Sequence, residues 1–255
     1  MTDAIVTTSM GATLLLVLAR LAGLFVFAPA LSHPAVPVKV RALAAVVFAL
    51  AVAPNVAATG VPESAAAMAA AVACEAMLGL VIALAAAAVF AGVELGAAHV
   101  AHQMGLSLGN IYEPDAQADQ TLPGFFHLLA LVVFLGLGGH RVVISALLGT
   151  FGSIPPAGFA ADARFLHSVT ALLGAGFLLA LRLAAPVLAA VLLATVAMGL
   201  LQKTMPGINT FSVGLSVRSL VGLAVMGAGL AATSPLIERA IVLLQQNLSL
   251  LTRAG

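Results

Sequence analysis

The sequence of 255 residues is 62% hydrophobic and only 7% charged, where an ordinary soluble domain is about a quarter charged. So few charges cannot clothe a globular surface, and a mean hydropathy of +1.18 asks for surroundings that are themselves apolar, either lipid or the interior of a larger assembly. A net charge of +1 gives no reason to expect nucleic acid, and the lone Cys74 excludes an intramolecular disulfide and a cysteine cluster for metal.

The first nine residues hold Asp3 and no Lys or Arg, unlike the positive start of a cleavable signal, so the opening apolar run, Met10 to Leu31 with Arg20 inside it, is expected to be a retained helix. The connector SHPAVPVKVR carries two prolines, Lys39 and Arg41, and it separates that run from a short one, Ala42 to Ala53. Pro62 and Glu63 open a third element from Ser64 to about Met104. At about 1.5 Å per residue it makes roughly 60 Å of helix, twice the hydrocarbon thickness of a bilayer, so it must bend, break or project from the membrane. The polar stretch 105–124 follows, with Glu113, Asp115 and Asp119.

Phe125 to Leu137 and Val142 to Phe151 flank a Gly138-Gly139-His140-Arg141 interruption and predict a broken or kinked helix before Pro155 and Pro156. Phe165 to Leu201 is again over-long, with Arg182 and Pro186 near its middle. The connector QKTMPGIN precedes Thr210 to Thr233, which contains Arg218. From residue 234 the tail is amphipathic: Ile237, Ile241, Leu244 and Leu248 share a face, as expected of an interfacial or partner-binding helix over 234–255. These elements predict an all-α fold, a polytopic membrane-associated helical bundle with long kinked or broken helices, in one domain over residues 1–255. Orientation is not fixed by charge. Lys39, Arg41 and Lys203 favour one frame, whereas the acidic stretch and Arg239 fit no simple alternation.

Three constellations invite chemistry. GLSLG at residues 105–109 fits Gly-x-Ser-x-Gly, with Ser107 as a nucleophile and His102 or His127 as its base. That pattern needs a strand, a sharp turn and a helix; here it follows a long helical run, and a loop mouth explains it. His99 and His102 share a helical face and with Glu94 make part of a metal site, but no further ligands are in register. No catalytic, cofactor or metal residue is therefore assigned. Arg20, Glu75, Glu94, Arg182 and Arg218 lie inside apolar runs, where each charge is costly enough to face a partner, a cavity or an aqueous path. Pairing between helices is favoured over a proton relay, because no repeated acidic pair marks the midplane of a coupled transporter. Gly92-x-x-x-Gly96 allows helices to pack closely.

Several blocks, in order, resemble the FliR/SctT family of type III secretion export-gate subunits: LARLAGLFVFAPAL with VPVKVRALAA, HQMGLSLGNIYEPDAQADQ, FFHLLALVVFLGLGGHRVVISAL, and LRLAAPVLAAVLLATVAMGLLQKTMPGINTFSVGLSVRSLVGL. The resemblance implies one subunit of a helical export-gate assembly in the bacterial inner membrane at the flagellar basal body. FliP and FliQ would be its packing partners around a conduit, FlhB and FlhA its associates, and unfolded flagellar proteins its transient cargo. It also implies that the polar loop 105–124 contributes to a plug, with Asn110, Ile111, Tyr112, Glu113, Pro114 and Asp115 at the gate. The sequence departs from the family at Gly138-Gly139-His140, where Asn-Gly-His is frequent, and at Tyr-Glu-Pro-Asp, where an Asp-Pro pair is usual. An injectisome SctT-type subunit is the alternative, and a proton-coupled secondary transporter a more distant one.

Overall fold

The computed structural model describes residues 2–29, 36–56, 62, 64–106, 121–159, 163–205, 207 and 209–253. Among these the regular structure is entirely helical: α1 (Thr2–Phe27), α2 (Val38–Val52) running into a 3-10 turn (Ala53–Asn55), α3 (Ala65–Gln103), α4 (Thr121–Gly136), α5 (Gly139–Ser153), α6 (Ala163–Thr204) and α7 (Thr210–Arg253). Five helices are long and apolar enough to cross a membrane, and the α4–α5 pair makes a sixth if it counts as one broken span. The protein is a polytopic helical membrane protein.

Local chemistry explains most boundaries. The Ser64 hydroxyl accepts the Ala67 N–H and caps α3, and the Asn209 side chain accepts the Ser212 N–H and caps α7. Gly105 and Gly138 adopt φ of 76° and 71°, a left-handed conformation that closes α3 and breaks α4 from α5.

Several boundaries differ from those read in the sequence. Helix α1 begins at Thr2 instead of Met10, and α2 begins at Val38, directly after Pro37. Helix α3 neither breaks nor restarts over its 39 residues. The amphipathic stretch expected from residue 234 is the end of α7, which passes through Pro235, rather than a separate helix. One proline removes a single backbone hydrogen bond at about 3 kcal/mol, whereas fully unwinding the turn in apolar surroundings would orphan several. Ile237 is buried there and Glu238 and Arg239 are exposed; the side chains of Ile241, Leu244 and Leu248 lie outside the described set.

The chain divides into two compact units. The first comprises residues 1–88, 135–173 and 241–255; the second comprises 89–134 and 174–240. In the first, Leu16, Val17, Leu21 and Leu24 of α1 are buried together with Leu78 and Ile82 of α3 and Val143 and Leu147 of α5. Phe25 meets Phe48 of α2 with ring centroids 5.8 Å apart. Helices α1 and α3 touch backbone to backbone: a Cβ added at Gly23 would strike Ala76 and Leu80, and one at Gly79 would strike the Arg20 carbonyl.

In the second unit, Val100 and Met104 of α3 pack with Ala184, Val187 and Val191 of α6, and Leu122, Val225 and Met226 lie against them. Gly92 abuts Gly176 and Gly96 abuts Ala180, so small residues four apart on α3 meet small residues four apart on α6. The Ser219 hydroxyl of α7 donates to the Met104 carbonyl at 2.7 Å, satisfying an end group of α3.

Two glycine substitutions of opposite sign test this packing by thermal unfolding in detergent. Gly79→Val drives a side chain into backbone that cannot yield, and is expected to cost about 3 kcal/mol. Gly174→Ala, on an exposed turn of α6 with nothing within 4 Å of the new Cβ, is expected to stabilise by about 0.5–1 kcal/mol through helix propensity. Equal effects would refute the close α1–α3 approach.

Candidate functional site

Among the described residues each unit contains a polar cluster, and the first is fully enclosed. Arg20 and Glu75 have no exposed side-chain surface, and Arg20 Nε donates to Glu75 Oε2 at 2.5 Å. Arg20 Nη1 donates to the Thr150 hydroxyl at 3.0 Å. Nη1 and Nη2 both reach the Ile154 carbonyl, at 3.2 and 3.1 Å. The guanidinium carbon sits 4.3 Å from the centroid of the Phe151 ring, a cation–π contact. The Thr150 hydroxyl in turn donates a hydrogen bond to the Leu147 carbonyl. Ile154 ends α5, so the cation also lies at the negative end of that helix dipole.

The second Glu75 oxygen, Oε1, accepts the Ala157 N–H at 3.0 Å. Ala157 has φ of 66°, unusual for a residue with a side chain, in a tight turn closed by a hydrogen bond from Gly158 N–H to the Pro155 carbonyl. Pro155 and Pro156 have no N–H to offer. The carboxylate therefore holds a strained turn by its one inward-facing amide, and the guanidinium holds the same turn by the Ile154 carbonyl. The arrangement ties α1, α3 and α5 together and leaves neither charge available to solvent.

In the second unit Glu94 Oε1 hydrogen-bonds His127 Nδ1 from α4. Their side chains are 46% and 29% exposed, so this pair lies at the edge of the unit and not in its core. Phe90 stacks obliquely on the His127 ring with centroids 5.5 Å apart and meets Phe134 edge-on. His99, the metal partner considered for Glu94, instead has Nδ1 at 3.0 Å from the Leu95 carbonyl of its own helix. Among the described residues no three His, Cys, Asp or Glu side chains are grouped to hold a metal.

The five charges singled out in the sequence thus have different surroundings. Arg20 and Glu75 are brought together and Glu94 is paired with His127. Arg182 is exposed on α6, and Arg218 is half-buried on α7 with Nε enclosed and lacking a hydrogen-bond partner. Asn110, Ile111, Tyr112, Glu113, Pro114, Asp115 and Ser107 lie outside the described residues. Thr150, Phe151, Ile154 and Ala157 were not singled out in the sequence: two act through backbone atoms, which no motif encodes, and the signal that existed was the Pro155-Pro156 turn.

The protein is thus an all-helical membrane protein whose enclosed polar groups tie its helices together. The chain belongs to the bacterial export proteins, family 1, which it matches over residues 12–243. It is 30% identical over 223 residues to the flagellar biosynthetic protein FliR of Escherichia coli (strain K12), covering 87% of this chain and 85% of that one. It is 29% identical over 159 residues to the FliR of Bacillus subtilis (strain 168), 60% of either chain, and so spans under two thirds of that relative's length. A further relative is the surface presentation of antigens protein SpaR of Shigella flexneri, 29% identical over 126 residues, 49% of this chain and 48% of that one.

The Arg20–Glu75 assignment predicts strong non-additivity. Arg20→Leu or Glu75→Leu alone strands a buried charge and is expected to cost about 3–5 kcal/mol, while the double variant recovers much of the loss. Additive losses in detergent unfolding would sink the pairing. Ala157→Gly keeps the amide and relaxes φ, so it should be tolerated; Ala157→Pro loses both the amide and the conformation and should unfold the unit.

Proposed function

We propose that this chain is a structural and gating subunit of the flagellar type III protein export channel, passing unfolded flagellar proteins across the bacterial inner membrane. The observation that carries this reading is the match to the Escherichia coli flagellar biosynthetic protein FliR over 87% of the chain. In this reading FliP-like and FliQ-like subunits cover part of the outward apolar surface, FlhB and FlhA associate with the assembly, and the subunit makes and breaks no bond. The transporter alternative has little to recommend it, because Glu75 is fully enclosed by Arg20 and the Ala157 amide and Glu94 is engaged by His127. The likeness to SpaR favours an injectisome role as the second reading, but over just under half of the chain.

The polar loop 105–124 is the proposed gate, with Asn110 to Asp115 at its tip. A long polar loop in so apolar a chain must meet water, and a protein-lined lumen supplies it. Loop packing would seal the resting channel, and an arriving unfolded chain would displace it.

Two measurements test this. Expressed in an Escherichia coli strain lacking its own FliR, the chain is expected to co-purify with FliP and FliQ; failure to associate would overturn the assignment. Deleting Asn110 to Glu113 is expected to leave the complex assembled yet raise ion conductance across the membrane, and unchanged conductance in an assembled complex would remove the plug role.

A further inference from the structure

The second unit carries a groove of about 350 Å³ between α3, α4, α6 and α7. Its walls are apolar, with Val100, Phe126, Val187 and Met226 among them, and Arg182 is the one charged residue among the described residues that line it. Arg182 is exposed and makes no hydrogen bond or ion pair among the described residues. It also sits well inside the apolar stretch Val169–Thr204, which is long enough to cross a membrane. Pro186, which lines the same groove, has no N–H to bond the Arg182 carbonyl one turn earlier in the helix.

We infer that this groove binds the acyl chain of an anionic phospholipid whose phosphate is held by Arg182. Among the described residues the walls contribute no carboxylate to neutralise the guanidinium, which calls for an occupant that brings negative charge, and no hydrogen-bonding side chain besides Arg182, which calls for a hydrocarbon body. A phospholipid combines the two within the solvent that an apolar chain already occupies. The guanidinium fork suits a phosphate with two parallel N–H donors. The inference does not depend on the export reading.

The test uses the full chain purified in detergent. Native mass spectrometry and thermal unfolding are followed with dioleoylphosphatidylglycerol, dioleoylphosphatidylcholine and, separately, glycerol 3-phosphate. Phosphatidylglycerol is expected to bind about fivefold more tightly than phosphatidylcholine, the preference that one well-placed arginine gives, and glycerol 3-phosphate alone to produce no shift. Arg182→Gln should abolish the preference, and Arg239→Gln, an exposed arginine off the groove, should keep it. Gly229 lines the groove and has open space over its Cβ position, so Gly229→Phe adds a ring at the groove and should weaken lipid binding with Arg182 intact. Equal binding of the two lipids, a preference surviving Arg182→Gln, undiminished binding to Gly229→Phe, or binding of glycerol 3-phosphate alone would each overturn the inference.

Discussion

A charge taken out of water must be answered by another group, and the first unit is organised by how Arg20 is answered. Removing a guanidinium and a carboxylate from water costs several kcal/mol for each, and their attraction offsets this only when every remaining donor and acceptor is also satisfied. Around Arg20 the donors go to Glu75, Thr150 and the Ile154 carbonyl, and the ring of Phe151 lies over the flat face. The geometry requires α1 and α3 to lie close together, which is why glycine occupies the position three residues after Arg20 and the position four residues after Glu75. A side chain at either position would push the helices apart and lengthen the ion pair. The helix contact and the charge pair thus depend on each other.

The same pair explains the turn that follows α5. Two consecutive prolines leave the chain with few backbone donors, and Ala157 is in a conformation that costs about 1 kcal/mol for any residue with a Cβ. The Glu75 carboxylate offsets that cost by accepting the Ala157 amide. The turn is held at both ends by one ion pair, its carbonyl by the cation and its amide by the anion.

What the sequence made legible follows from this physics. Charges inside apolar runs stand out, so Arg20, Glu75, Glu94, Arg182 and Arg218 were visible as residues in need of partners. Their partners were not visible, because Thr150 lies 130 residues from Arg20 and the rest of the cradle is backbone. Glu94 illustrates the same limit: its helical neighbours His99 and His102 suggested a metal, whereas its partner is His127, 33 residues away on another helix. The Gly92 and Gly96 spacing was readable, but the matching Gly176 and Ala180 acquire meaning only once α6 lies alongside. Helix ends with a capping Ser64 or a Gly105 were placed closely. Continuity through Pro235 was not, because the number of backbone groups that unwinding would orphan depends on what surrounds the helix.

The three environments of the arginines also say where this chain ends and its surroundings begin. Arg20 is answered completely from within. Arg218 is half-enclosed with Nε lacking a partner, and Arg182 is answered by nothing in the described chain. On α6 the residues around Arg182 point outward as well: Leu173, Phe177, Leu192 and Leu193 are all more than half exposed. The corresponding share of α3 is mostly buried, whereas the apolar stretch of α7 is 11% buried and that of α2 is 17%. A helix that exposes leucines to its surroundings gains nothing from an arginine among them unless the surroundings supply an anion. The outer faces of α6 and α7 are therefore contact faces with chemistry of their own, apolar over most of their length and demanding a negative charge at one place.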